Sequence, residues 1–253
     1  NQQSRDLSWF SGKCCCICDY RGNYSTRIII CDMKQDYIYI VISRTPSKFA
    51  KLIRKTMGIE YNHASISLDE DLEEIYAFAR YQNHVPVVAG LVKENASRFT
   101  LCQYEDVKIK IYKVPVTGEQ YLQICQDIER IMQDEEYHYN LFSALTFPVF
   151  KGFETYKAYT CIEFVMNMLL EAGIELEKPT WSYHPEEIVN ILGEYECYSG
   201  NLLEYREFEQ DPESEFFEKP ERIAAWKASA VIMGVLLYRN ISGLCANLAE
   251  MIL

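Results

Sequence analysis

The chain has 253 residues, a net charge of -12, and a composition that is 49% apolar and 25% charged. This excludes a disordered chain, and it argues against a nucleic-acid surface, because phosphate binding needs clustered Lys and Arg. It also disfavours simple electrostatic attraction to anionic lipid, while the length allows one elaborated domain or two small ones.

Residues 1 to 36 read as a loosely organised N-terminal extension with one strand-like run at Ile28 to Cys31. No signal-peptide pattern opens it, although the first residue is Asn rather than Met. Cys14, Cys15, Cys16 and Cys18 form a thiol cluster. Structural zinc sites usually space ligand pairs two to four residues apart, and adjacent cysteines converge poorly on one ion. Free thiols are therefore expected there, with no metal and no other cofactor. Cys31, Cys102, Cys125, Cys197 and Cys245 are scattered among apolar or mixed neighbours, as buried free thiols often are. That usage points to a reducing, cytoplasmic setting.

From Tyr37 the pattern sharpens. Tyr37 to Ser43 (YIYIVIS) is a β-branched and aromatic run, a buried strand. Thr45-Pro46-Ser47 breaks it, and Ser47 caps a helix through Leu52 and Ile53 that ends near Gly58. His63, Ser65 and Ser67 then alternate with Ala64, Ile66 and Leu68, a half-buried strand. An acidic turn over Asp69 to Glu74 leads to a partner strand at Ile75 to Ala79. Another strand is expected over Val107 to Val114, and Glu119 to Met132 has helical spacing. A connection around Tyr137 to Leu145 runs into a loop with Pro148 and Gly152. The segment from Thr160 to Ile174 reads as a helix closed by Gly173, and a short helix begins at His184-Pro185. Glu204 to Glu221 is an acidic linker, and a final apolar helix starts near Arg222.

A reactive cysteine needs a lowered thiol pKa, access and a nearby imidazole. Cys161 stands at a predicted helix N-terminus, where free N–H groups and the dipole stabilise a thiolate and an oxyanion. His63, on the polar side of its strand, is the matching partner. His84, His138 and His184 lie in loop-like or helix-starting contexts. Spacing alone leaves this pairing open against a structural histidine.

The Asn62–Ser65 pattern (N-H-A-S), the hairpin returning as EEIYAFAR, and TCIEFV at Thr160 to Val165 together resemble circularly permuted papain-like hydrolases. This NlpC-type group includes YiiX-like enzymes and, more distantly, lecithin–retinol acyltransferase, and the similarity spans roughly residues 37 to 174. It implies an α+β fold with a small antiparallel sheet packed on helices. It also implies Cys161 as nucleophile, His63 as base or imidazolium, and acyl transfer through a thioester. Tyr139 and Asn140 fall in a region that lines the cleft in such enzymes. The residue that orients the imidazole would fall at about Ala77, which cannot do so; Glu74 or Tyr76 is the substitute if the strand register differs, Glu74 otherwise belonging to the solvated acidic turn.

The expected layout is an extension at 1–36, the hydrolase domain at 37–203, and the acidic linker with the apolar helix at 204–253. The expected function is cleavage of an amide, peptide-like or derived from cell wall. The alternatives are a lipid acyltransferase or lipase of the same fold, and an inactive binding protein, which Ala77 favours. An apolar C-terminal helix is usually buried against its own domain; a dimer contact or a lipid surface are its other uses.

Overall fold

The computed structural model describes residues 36–102, 107–209 and 211–252, within one compact unit spanning 33–253. The Cys14–Cys18 cluster, Cys31 and the run at Ile28 to Cys31 lie outside the described residues.

Strand β1 (Asp36–Ser43) is followed by helix α1 (Lys48–Met57). Ser47 Oγ accepts from the Ala50 N–H at the start of α1, and Gly58 ends it in the left-handed region at φ 68°. Strands β2 (His63–Ser67), β3 (Ile75–Arg80) and β4 (Ala89–Glu94) come next. Helix α2 (Ala96–Thr100), strand β5 (Lys108–Val116) and helix α3 (Gly118–Gln133) follow. Short strands β6 (His138–Tyr139) and β7 (Ala158–Tyr159) pair in parallel around helix α4 (Leu141–Phe150). Helices α5 (Cys161–Glu171) and α6 (Pro185–Ile191), strand β8 (Glu196–Asn201), and helices α7 (Leu202–Tyr205) and α8 (Arg222–Ile252) complete the chain.

Six strands form one antiparallel sheet in the order β4-β3-β2-β1-β5-β8. The molecule is thus a mixed α/β protein with helices against a sheet. One face carries Ile38, Ile40, Ile42, Ile66 and Phe78 and is covered by α3, α5 and α6. The other carries Tyr39, Val41, Ile75, Ile109 and Ile111 and meets Phe99 of α2 and Leu202 of α7.

The structure corrects two expectations here. β2 is buried along its whole length, polar side included, because its second face is covered as well. Within the acidic linker Phe216 is buried, and Asn83 N–H donates to its carbonyl at 2.8 Å.

Two further elements were not legible as such. β4 contains Gly90, where a Cβ would fall 2.1 Å from the Tyr81 hydroxyl and 3.0 Å from the Tyr137 carbonyl, so any side chain there must displace the Tyr81 ring. α4 includes Pro148 in a stretch expected to be a loop. Cys125 is buried as expected, whereas Cys102 is half-buried and Cys197 exposed.

α8 departs most from expectation. Leu236 is fully buried, and Arg239 Nη1 donates to the Glu136 carbonyl at 2.9 Å. Asn240 Oδ1 accepts from Thr155 Oγ1 at 2.7 Å. Yet Trp226 is 78% and Ile223 72% exposed. A helix apolar on all sides can press only one of them against a domain. Among the described residues no helix is long and apolar enough to cross a membrane.

Candidate active site

β2 and α5 bring the two halves of the site together. Thr160 caps α5 through a reciprocal capping box: its hydroxyl accepts from the Glu163 N–H at 3.0 Å, and its own N–H donates to Glu163 Oε2 at 3.3 Å. Cys161 is therefore the first residue of the helix, where backbone N–H groups have no partner within it. At the start of β2, Asn62 Oδ1 accepts from the Thr45 N–H at 3.1 Å and from the Arg54 guanidinium. Asn62 Nδ2 donates to Thr45 Oγ1 at 2.7 Å, which pins the turn just before His63. Registered pairs between β2 and β3 are confined to Ile66–Tyr76 and Ser67–Ile75. Towards His63 the ladder is open, and the Ala64 N–H there serves the Cys161 sulfur.

Cys161 and His63 lie within hydrogen-bonding reach of one another, both buried. On the far side His63 Nε2 meets Glu94 Oε2 at 2.9 Å, and Ser65 Oγ donates to the same oxygen at 2.7 Å. Glu94 is the last residue of β4. On the strand pairing it falls on the same face of the sheet as His63 and Ser65.

The charges follow from this geometry. Burial works against an imidazolium, but the Glu94 carboxylate and the Cys161 sulfur overcome it and hold His63 up to about 10. Burial works against the thiolate too, and the His63 charge with the Ala64 N–H pulls Cys161 below the ordinary thiol value. Burial would raise Glu94, yet His63, Arg98 and the Ser65 hydroxyl hold it below the usual carboxylate value. Each of these shifts favours the charged form of its group: imidazolium, thiolate and carboxylate. Glu163 behaves oppositely: buried without a cation, it is pushed up to about 8 and stays neutral at pH 7. A like charge two residues from the thiolate is thereby avoided.

Tyr139 lines the cavity and its hydroxyl is within reach of Cys161; burial and that sulfur keep the phenol well above its usual value, hence protonated. Asn140 does not reach the cavity. It is fully buried, its Oδ1 accepts from the Ser143 N–H at 3.2 Å to cap α4, and its Nδ2 donates to the Phe153 carbonyl and Thr155 Oγ1. The cleft expectation for Asn140 is corrected to a capping role. Glu74 is likewise displaced. It accepts from the Tyr76 hydroxyl and pairs with Lys93 at 2.6 Å, while His63 takes Glu94. The sheet supplies the orienting carboxylate one strand further out than β3, which is why Ala77 leaves no gap.

A cavity of about 120 Å³ opens onto Cys161, His63 and Glu94, with Phe78, Phe99, Leu141 and Phe216 among its apolar walls. Among the described residues no cluster of His, Cys, Asp and Glu is arranged to hold a metal ion. Glu94 was missed in the sequence because the short, Gly-containing β4 lacks a strand pattern. The one signal for it was the Asn95 cap that follows immediately, whose Oδ1 accepts from the Arg98 N–H at 3.1 Å. Comparison with known proteins yields no matching family model, no matching curated protein and no matching solved structure.

Proposed function

We propose that the chain is a cysteine hydrolase of the permuted papain-like kind, acting on an amide bond through a thioester. The observation that carries this reading is that Cys161, at a helix N-terminus, and His63, bonded to Glu94 at 2.9 Å, line one cavity together. Histidine precedes cysteine in the chain, as that family requires, and an antiparallel sheet bears the histidine.

In the proposed chemistry the Cys161 thiolate adds to the substrate carbonyl carbon, and the carbonyl π pair moves to oxygen. The free N–H groups at the start of α5 and the protonated Tyr139 hydroxyl are donors for that oxyanion. His63 gives its proton to the leaving amine as the C–N bond breaks, which leaves a thioester and a neutral imidazole. Water then loses a proton to His63 and attacks the thioester; the acid departs and the ion pair is restored. Glu94 holds the ring orientation throughout. The carboxylate that Ala77 cannot supply is present in Glu94, which weighs against a binding-only protein.

The second reading replaces water by a lipid-borne acceptor, as in an acyltransferase, or the amide by a lipid ester. The exposed apolar side chains of α8 favour it.

The test is iodoacetamide labelling across pH, mapped by mass spectrometry on the native protein, His63→Ala and Cys161→Ala. Labelling of Cys161 well below about pH 8.5, the ordinary thiol value, and slowed by His63→Ala is the expected result. Labelling no faster than at Cys102 or Cys197, and indifferent to His63, overturns the enzyme reading. Short peptide amides and acyl esters, with and without micelles, then separate the two chemistries.

A further inference from the structure

Two further charged residues line the cavity and make no contact with the reacting groups above, Arg80 at the end of β3 and Arg98 in α2. Among the described residues neither guanidinium has a carboxylate within 4.0 Å; Glu94, the one acid lining the cavity, is engaged by His63 and Ser65. Arg80 Nη1 donates to the Asn83 carbonyl at 2.9 Å, and Arg98 Nη2 to the Arg80 carbonyl. The Arg98 Nε–H is buried with no acceptor. Phe216 lies over both planes, with its ring 4.2 Å from the Arg98 guanidinium carbon and 5.8 Å from that of Arg80. Partial burial lowers both guanidinium pKa values and Arg98 adds repulsion at Arg80; the attraction of Glu94, which is shared with His63 and Ser65, only partly offsets this.

Buried, unpaired charge is costly, and two adjacent like charges more so. The charge balance shows what would relieve it. Two guanidiniums and the imidazolium face Glu94 and the Cys161 sulfur, so even with the thiol ionised the cavity carries a positive charge in excess, within a chain of net charge -12. Phe216 shields the guanidiniums from solvent, which strengthens their attraction for an anion.

We propose that Arg80 and Arg98 form an anion subsite beside Cys161, which selects acyl substrates bearing one carboxylate close to the scissile carbonyl. This rests on the cysteine-hydrolase reading. Guanidinium pairs take phosphate as well. A single excess charge matches a carboxylate better than a phosphate dianion, and the small cavity favours the smaller group.

The experiment compares iodoacetate with its neutral isostere iodoacetamide on the full chain, at pH 7 and constant ionic strength, reading the modification rate of Cys161 alone. Arg98→Met and Arg80→Met should each cut the iodoacetate-to-iodoacetamide rate ratio by about tenfold relative to wild type, and Arg98→Lys should restore most of it. A merely structural role for the arginines slows both reagents alike and leaves the ratio unchanged, which overturns the subsite. A fast Cys161 with an unchanged ratio thus defeats the subsite and spares the hydrolase reading. A Cys161 inert to both reagents defeats both. Should the Met variants not fold, protection of wild-type Cys161 from iodoacetamide decides: slowing by butyrate but not by butyramide supports the proposal, and its absence overturns it. Equal or better protection by inorganic phosphate overturns the carboxylate assignment in favour of a phosphoryl group.

Discussion

Glu94 and Glu163 are both buried carboxyl groups close to Cys161, and they rest in opposite charge states. Burial pushes each towards the neutral acid. Glu94 ionises because His63, Arg98 and the Ser65 hydroxyl outweigh that push. Glu163 has only the Thr160 N–H to set against it, and stays protonated at pH 7. Burial therefore does not decide the charge of an acid in this core; its neighbours do. The arrangement places a negative charge behind the imidazole and none beside the sulfur, which is what a thiolate–imidazolium pair requires.

The largest expected effect comes from abolishing the ionised member. In Glu94→Gln, His63 loses its foremost attractive partner, and its pKa should fall by about two units, read from the imidazole proton shifts by NMR. In the wild type His63 is raised from 6.5 to about 10, so its contribution to stability is full below 6.5 and is lost as pH rises through about 10. In the variant that loss should start at the same pH but be smaller and complete at a lower pH. A His63 pKa unchanged by Glu94→Gln contradicts the His63–Glu94 pairing.

Glu163→Gln removes the neutral member while keeping an acceptor for the Thr160 N–H. The wild-type carboxyl is raised from 4.5 to about 8, so its stabilisation is present below 4.5 and is lost as pH rises through about 8. The variant should match wild type near pH 4 and exceed it at pH 9 by about 2 kcal/mol or more, measured by urea unfolding at each pH. Parallel stability profiles would show that Glu163 is ionised in the fold.

Ser65→Ala is the smallest of the three. It deletes one hydroxyl donor to an ionised carboxylate that keeps its His63 partner, an effect of about 1.5 kcal/mol, the lower end for such bonds. Glu94 is held below 4.5, so its stabilisation is present above 4.5 and is lost as pH falls through its folded value. The deficit of Ser65→Ala should therefore be clear at pH 7 and shrink towards pH 3. A pH-independent deficit would mean that the hydroxyl matters for packing only.

Much of the frame was legible along the chain. β1, β2, β3, β5, α3 and α5 follow from runs whose periodicity and caps lie within ten or so residues, where local sterics and hydrogen bonds decide. Thr160 with Glu163 marked the start of α5, and hence Cys161, for that reason. β4 and α4 were hidden because Gly90 and Pro148 break local preference, and tertiary contacts override it. The fate of α8 was equally hidden: an all-round apolar pattern signals burial but names no partner, and among the described side chains Leu236 and its neighbours find one in this chain.

The sequence by itself determined the chemistry on offer: a thiol at a helix start, an imidazole on a strand, and an apolar core large enough to bury both. Which carboxylate completes them was a tertiary decision. Glu94 lies thirty-one residues from His63 and two strands away from it, a proximity created by sheet order and register rather than by anything in the local pattern. The same holds for Arg80, Arg98 and Phe216. Electrostatic coupling depends on distance through space, and chain separation carries almost no information about it once a sheet has folded.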